Sequence, residues 1–188
     1  MLLLILACST EPVPPAAPAD PPAAPAAPAP NPDEALQARV QAAAAAYGPT
    51  LRARLGEAVK AGGPPEGVKV CTQDAQEIGA RIAAEHSVSI GRSSLKLRNP
   101  ANSGPDWVQA RLASGETSPL REVVEVDGTR VARMAVPIVI EEPCLACHGD
   151  PATFSPELSQ ALAANYPEDA ATGYALGDLR GLLWVETR

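Results

Sequence analysis

Hydrophobic and polar positions change their period several times along this chain, and each change marks an element. From residue 34 to 62 apolar residues recur at helical spacing, first Leu36, Val40, Ala44 and Tyr47, then Leu51, Leu55 and Val59. That stripe predicts an N-terminal helical segment with Asp33 placed to cap it, interrupted at Gly48-Pro49 and stopped at Gly62-Gly63-Pro64-Pro65. A further helix is predicted from about Val68 to Glu85. There Cys71, Ala75, Ile78 and Ile82 share one face, which turns Cys71 toward the apolar side. Val88 to Arg98 alternates in part and predicts a strand, with Leu95 and Leu97 on one side and Arg92, Lys96 and Arg98 on the other.

Asn99-Pro100-Ala101-Asn102 breaks that strand, and Pro105-Asp106-Trp107 opens a short helix to Leu112. A hairpin follows: Arg121 to Val126, the turn Asp127-Gly128, then Thr129 onward through Met134 toward Ile140. A two-residue turn there sets Val124 opposite Val131, Glu125 opposite Arg130 and Glu122 opposite Arg133, so opposite charges face each other. Pro137 marks an edge or a bulge. Ser155-Pro156 caps a helix reaching about Asn165, and Leu182 to Val185 reads as a final strand. Helices first, then strands interrupted by helices without regular alternation, predict an α+β fold with an antiparallel sheet.

Composition divides the chain before any chemistry is considered. Residues 9–33 are almost all Pro, Ala and small polar residues, a Pro/Ala-rich disordered tether with polyproline character. Ahead of it, Leu2 to Ala7 is an apolar run ending at Cys8, which resembles a bacterial lipoprotein signal with Cys8 as the lipidated residue. The run is shorter than the usual ~7–15 residues, and no Lys or Arg precedes it. The expected organisation is therefore a signal with its lipidated Cys at 1–8, a tether at 9–33 and one domain at 34–188. The expected location is periplasmic or the outer face of the cell envelope, with the membrane touched through the lipid anchor only. A net charge of −7 and only 3% aromatic residues argue against nucleic acid, which needs a basic surface and stacking rings.

The chemistry is concentrated in Cys144-Leu145-Ala146-Cys147-His148. Cys-x-x-Cys-His is the attachment signature of haem c. Two thiols at that spacing add to the two vinyl groups of one haem, and the adjacent imidazole becomes an axial ligand of the iron. Three residues compete for the opposite axial position: Cys71, His86 and Met134. On a continuous helix Cys71 and His86 would lie about 22 Å apart, so they cannot serve one iron together. His86 stands at a predicted helix end, and Met134 lies in a strand where a core role is the ordinary one. The basic strand face of Arg92, Lys96 and Arg98 is a candidate for pairing with the haem propionates, or else a solvated face; Arg180 is a weaker candidate.

Three blocks carry a family resemblance: Val70-Cys71, the run from Gly91 to Asn102, and Pro143 to Gly149 followed by Tyr166-Pro167-Glu168-Asp169, Ala171-Thr172-Gly173 and Gly177 to Gly181. Over roughly residues 36–188 the chain resembles the single-haem c-type cytochrome domain family with a PAS-like fold, also found as a haem sensor module. The resemblance implies a PAS-like antiparallel sheet flanked by helices. It also implies one haem c on Cys144 and Cys147, and Cys/His axial ligation through His148 and the position of Cys71. A thiolate ligand favours ferric iron and a low potential. Its departure on reduction would open a site for a diatomic gas. The expected function is thus a redox or gas sensor or a low-potential electron-transfer cytochrome, with a redox or signalling partner protein, and not an enzyme. The alternative is an exported zinc or redox-dithiol domain without haem, in which Cys144 and Cys147 join Cys71 and a His on zinc, or act as a Cys-x-x-Cys pair.

Overall fold

The computed structural model describes residues 31–188. The lipoprotein signal with Cys8 and the tether up to residue 30 lie outside the described residues. Helix α1 runs Pro32–Gly62, with Asn31 rather than Asp33 as its cap: the Asn31 side chain accepts the Asp33 N–H at 3.0 Å, and Pro32 fills the first turn, where no donor is needed. The interruption expected at Gly48-Pro49 does not occur, and the helix continues through Pro49. A mid-helix Pro costs about 3 kcal/mol. Burial of Tyr47 and Leu51 on either side offsets it, at about 1.5–3 kcal/mol for each side chain.

The helix expected over 68–85 is two helices, α2 (Pro64–Thr72) and α3 (Asp74–His86), broken at Gln73. The Thr72 hydroxyl donates back to the Val68 carbonyl at 2.7 Å, a local bond that competes with helix propagation. The break moves Cys71 off the Ala75–Ile82 stripe. Val70, Ala75 and Ile82 enter the main core, while Cys71 stays half-buried outside it.

Strand β1 is Val88–Ser93, shorter than expected. It stops where Ser94 Oγ accepts the Lys96 N–H at 3.1 Å, a side-chain turn that takes over from the ladder. Leu95 is consequently 67% exposed rather than on a buried strand face. After α4 (Asp106–Ala113) come β2 (Leu120–Val126) and β3 (Thr129–Val139), in the register the Asp-Gly turn predicts: Val124 with Val131, Glu125 with Arg130, Glu122 with Arg133. The ion pairs differ. Arg130 turns to Asp33 of α1, and Arg133 to Glu186 at 2.6 Å. Pro137 lies in a stretch of β3 that outruns β2, with a bulge next to it at Ile138/Val139, so that stretch is locally an edge.

Helix α5 (Leu145–His148), helix α6 (Pro156–Asn165) and strand β4 (Leu179–Thr187) complete the chain. The sheet is fully antiparallel in the order β1-β4-β3-β2, which confirms the α+β, PAS-like architecture. On one face, Val40, Ala43, Tyr47 and Leu51 of α1 pack with Ile82, Val88, Ala132, Leu183 and Val185. On the other, Leu182 and Ala135 meet Val108 and Leu112 of α4, with Trp107 and Trp184 edge to face at 6.5 Å. A third, smaller apolar cluster joins α2 to α6 through Val68, Leu158, Leu162 and Tyr166. Among the described residues no helix is long and apolar enough to cross a membrane.

Candidate functional site

The Cys-x-x-Cys-His run sits on a short 3-10 turn (Glu142–Cys144) leading directly into α5. One helical turn therefore carries Cys144, Cys147 and His148. The three described cysteines, Cys71, Cys144 and Cys147, are free thiols and half-buried. Cys147 packs against the third apolar cluster beside Phe154. Burial pushes its thiol pKa up, and Arg98 opposes the shift. Val68, less than one turn before Cys71 in α2, belongs to the same cluster, so this end of α2 packs on the motif. Tyr166, the C-cap of α6, is the second link: it is buried in the cluster with Val68 of α2, and its pKa is raised, chiefly by burial.

His148 is held in one tautomer. Its Nδ1 lies 2.7 Å from the Ala171 carbonyl oxygen, an acceptor, so Nδ1 carries the proton and Nε2 keeps its lone pair. Burial, then Arg98 and Arg180, lower its pKa to about 3. The imidazole is therefore neutral at any physiological pH. A neutral ring whose far nitrogen is fixed by a backbone carbonyl is the form in which His ligates a metal.

Arg98 builds the wall of the site. Its guanidinium donates to Asp169 Oδ2 at 3.0 Å, to the Cys147 carbonyl at 2.6 Å and to the Ala171 carbonyl at 3.3 Å. Its charge is thus spent on protein acceptors, and it bolts the segment after β1 to both the motif and the loop that orients His148. Arg92 and Arg180 have no carboxylate partner among the described residues. Both lie close enough to Arg98 and to one another for Arg180 to feel the repulsion, although burial is the larger cause lowering its pKa. Arg92 also acts on Tyr166. Lys96 points to the surface, where its Nζ donates to the Thr172 carbonyl at 3.2 Å and lies 4.7 Å from the Tyr174 ring centre.

The other candidates lie apart. His86 ends α3, with its carbonyl accepting from Arg39, and Met134 packs against the main core. Sequence reasoning named neither Asp169 nor Ala171 nor Tyr174 as site residues. A carbonyl acceptor such as Ala171 has no side-chain signature, and Asp169 reads as an ordinary loop carboxylate. Among the described residues no three His, Cys, Asp or Glu side chains converge as a metal cluster, so the Cys₃His zinc arrangement finds no support. A groove of about 340 Å³ runs along β1 beside α3, and of these site residues only Arg92 lines it.

The residues present suit a haem of the c type. Two free thiols one helical turn apart adjoin an imidazole with an available Nε2; a third thiol lies nearby, and two guanidiniums have no carboxylate partner. Comparison with known proteins gives the fold and the family. No curated protein matches the chain. A solved structure described as the crystal structure of the cyanobacterial heme-protein Tll0287 shares its fold, with a TM-score of 0.50 and 22% identity over 61% of this chain and 69% of that one. The model of the Tll0287-like family matches residues 25–187. The match spans nearly the whole sequence, and the chain belongs to the Tll0287-like family.

Proposed function

We propose that this chain is a covalent haem c protein of the cell envelope, acting as a redox or gas sensor or as a low-potential electron-transfer cytochrome. Cys144 and Cys147 would be the attachment thiols, and His148 and Cys71 the side chains that would hold the iron. Arg92, with no carboxylate partner among the described residues, is the cation best placed for the propionates; Arg98 holds the wall, and Lys96 and Arg180 stand over Tyr174. Bound there, haem supplies a one-electron iron couple, and a thiolate opposite imidazole stabilises the ferric state. The protein's own contribution is positional. The Ala171 carbonyl fixes the His148 tautomer, Arg98 fixes that carbonyl, and the cluster around Phe154 and Leu158 offers an apolar wall. The role involves no substrate turnover. Export and lipid anchoring through Cys8 are part of the same proposal.

The observation that carries this reading is the free Nε2 of a neutral His148 on the same helical turn as the free thiols of Cys144 and Cys147. The test is the full chain, expressed with the cytochrome assembly machinery and exported. A red protein with a Soret band, heavier by one haem in intact mass, is expected, with a ferric EPR spectrum of thiolate-ligated low-spin iron. Colourless protein of unmodified mass would refute it.

A further inference from the structure

Among the described residues the exposed large hydrophobics are Leu95 and Leu176, each 67% exposed, and Val139 at 46%. Scattered singly they would need no explanation. They lie on segments that hydrogen bonds and the β3–β4 ladder tie together. Leu95 lines a shallow hollow of about 160 Å³ together with Tyr174, Leu179 and Arg180. Val139 stands opposite Leu179 in the β3–β4 ladder. Leu176 leads a turn with Gly177 at φ +87°, in which the Asp178 N–H donates to the Ala175 carbonyl at 3.2 Å; the Gly177 N–H is tied to the Ile140 carbonyl at 2.9 Å. That bond ties the Leu176 turn to the residue that follows Val139.

The rim of this patch is cationic. Lys96 Nζ lies 4.7 Å and the Arg180 guanidinium 5.5 Å from the Tyr174 ring centre, and neither has a carboxylate partner among the described residues. The nearby Asp178 carboxylate is turned into its own loop, accepting the Ala175 N–H at 2.8 Å. In a chain of net charge −7 this is a local reversal of sign. The patch also lies directly over the candidate ligand. The Tyr174 N–H donates to the His148 carbonyl at 3.0 Å, and the two rings stand edge to face at 6.3 Å.

We propose that this apolar patch with a cationic rim, centred on Tyr174, is the docking face for an acidic redox protein. Its partner presents an apolar centre ringed by Asp and Glu. The redox character of that partner rests on the haem reading above; the sign of its charge rests on Lys96 and Arg180 alone. Opposite charge at the rim steers encounter, and the apolar centre excludes water once contact is made. The Tyr174 backbone bond and ring contact tie this face directly to His148.

The test titrates the ¹⁵N-labelled, haem-matured full chain with tris(oxalato)chromate(III), a paramagnetic trianion that broadens the amide signals it approaches. Broadening confined to the neighbourhood of Leu95, Lys96, Tyr174, Leu176 and Arg180 is expected, reduced several-fold in Lys96→Glu and by added salt. The ferrous protein should also give one electron to each tris(oxalato)cobaltate(III) several-fold more slowly in Lys96→Glu. Broadening elsewhere, or none, in a red protein overturns the docking face and leaves the haem reading intact. Broadening here in a colourless protein supports the face and overturns the haem reading. Binding of the same chain to phosphatidylglycerol vesicles, or a dimer in sedimentation that Lys96→Glu dissociates, makes a lipid surface or a second copy the occupant and overturns the acidic redox partner.

Discussion

Replacing Arg98 by Met tests how the site is held. The Arg98 and Asp169 side chains are 8% and 11% exposed, so their 3.0 Å ion pair is shielded from water. Removing one partner of such a pair leaves the other charge buried and costs about 3–5 kcal/mol. The same substitution removes the donor of the Cys147 carbonyl and leaves the Ala171 carbonyl with His148 as its remaining donor. Each such loss is worth about 1–3 kcal/mol by itself, but the terms overlap because one guanidinium serves all three acceptors. The expected loss is therefore about 4 kcal/mol. With a urea m-value of about 1–3 kcal/mol/M, it lowers the denaturation midpoint by more than about 1 M. Arg98→Lys, which keeps the charge but not the planar fork, should fall between Met and the native residue. The double variant Arg98→Met with Asp169→Leu should be less unstable than the sum of the singles by at least about 1 kcal/mol, because no charge is left unpaired. Because Ala171 also accepts from His148, amide exchange at residues 169–173 should accelerate in Arg98→Met. A loss below about 1 kcal/mol with unchanged exchange would show that the pair does not hold the two segments together.

Other perturbations follow from the same geometry. Cys71→Ser should keep the attached haem mass but change the ferric absorption and EPR spectra; spectra matching the native protein would remove Cys71 as a ligand. Gly181→Ala places a Cβ against the Ser93 carbonyl oxygen where β4 crosses the end of β1, and should cost at least about 1–3 kcal/mol by thermal or urea unfolding. Pro49→Ala restores a helix hydrogen bond in the middle of α1 and should stabilise the protein by about 1–3 kcal/mol; an unchanged midpoint would mean that the helix is not strained there. Glu186→Gln weakens the 2.6 Å pair with Arg133, whose guanidinium also lies 5.3 Å from the Trp107 ring, and should cost about 1 kcal/mol or less, since both ends remain partly wet.

Local pattern alone determined a good part of this protein. The alternation and Asp127-Gly128 set the β2–β3 register, because a two-residue turn leaves no freedom to slip. Ser155-Pro156 set the start of α6, and the spacing of Cys144, Cys147 and His148 put three reactive groups on one turn whatever the surroundings. These features depend on residues close in sequence. Tertiary structure decided the rest. Periodicity placed Cys71 on the core face, but the break at Gln73 left it half-buried outside the main core. Glycine and proline predicted a break within α1, but packing on both sides of Pro49 kept the helix whole. Arg98 read as one of three equivalent cations until the fold brought Asp169, Cys147 and Ala171 to it, and Tyr174 gave no signal at all. Contacts between residues twenty to eighty apart depend on the closing of loops and the mutual burial of helices and sheet. No single stretch of the sequence contains that information.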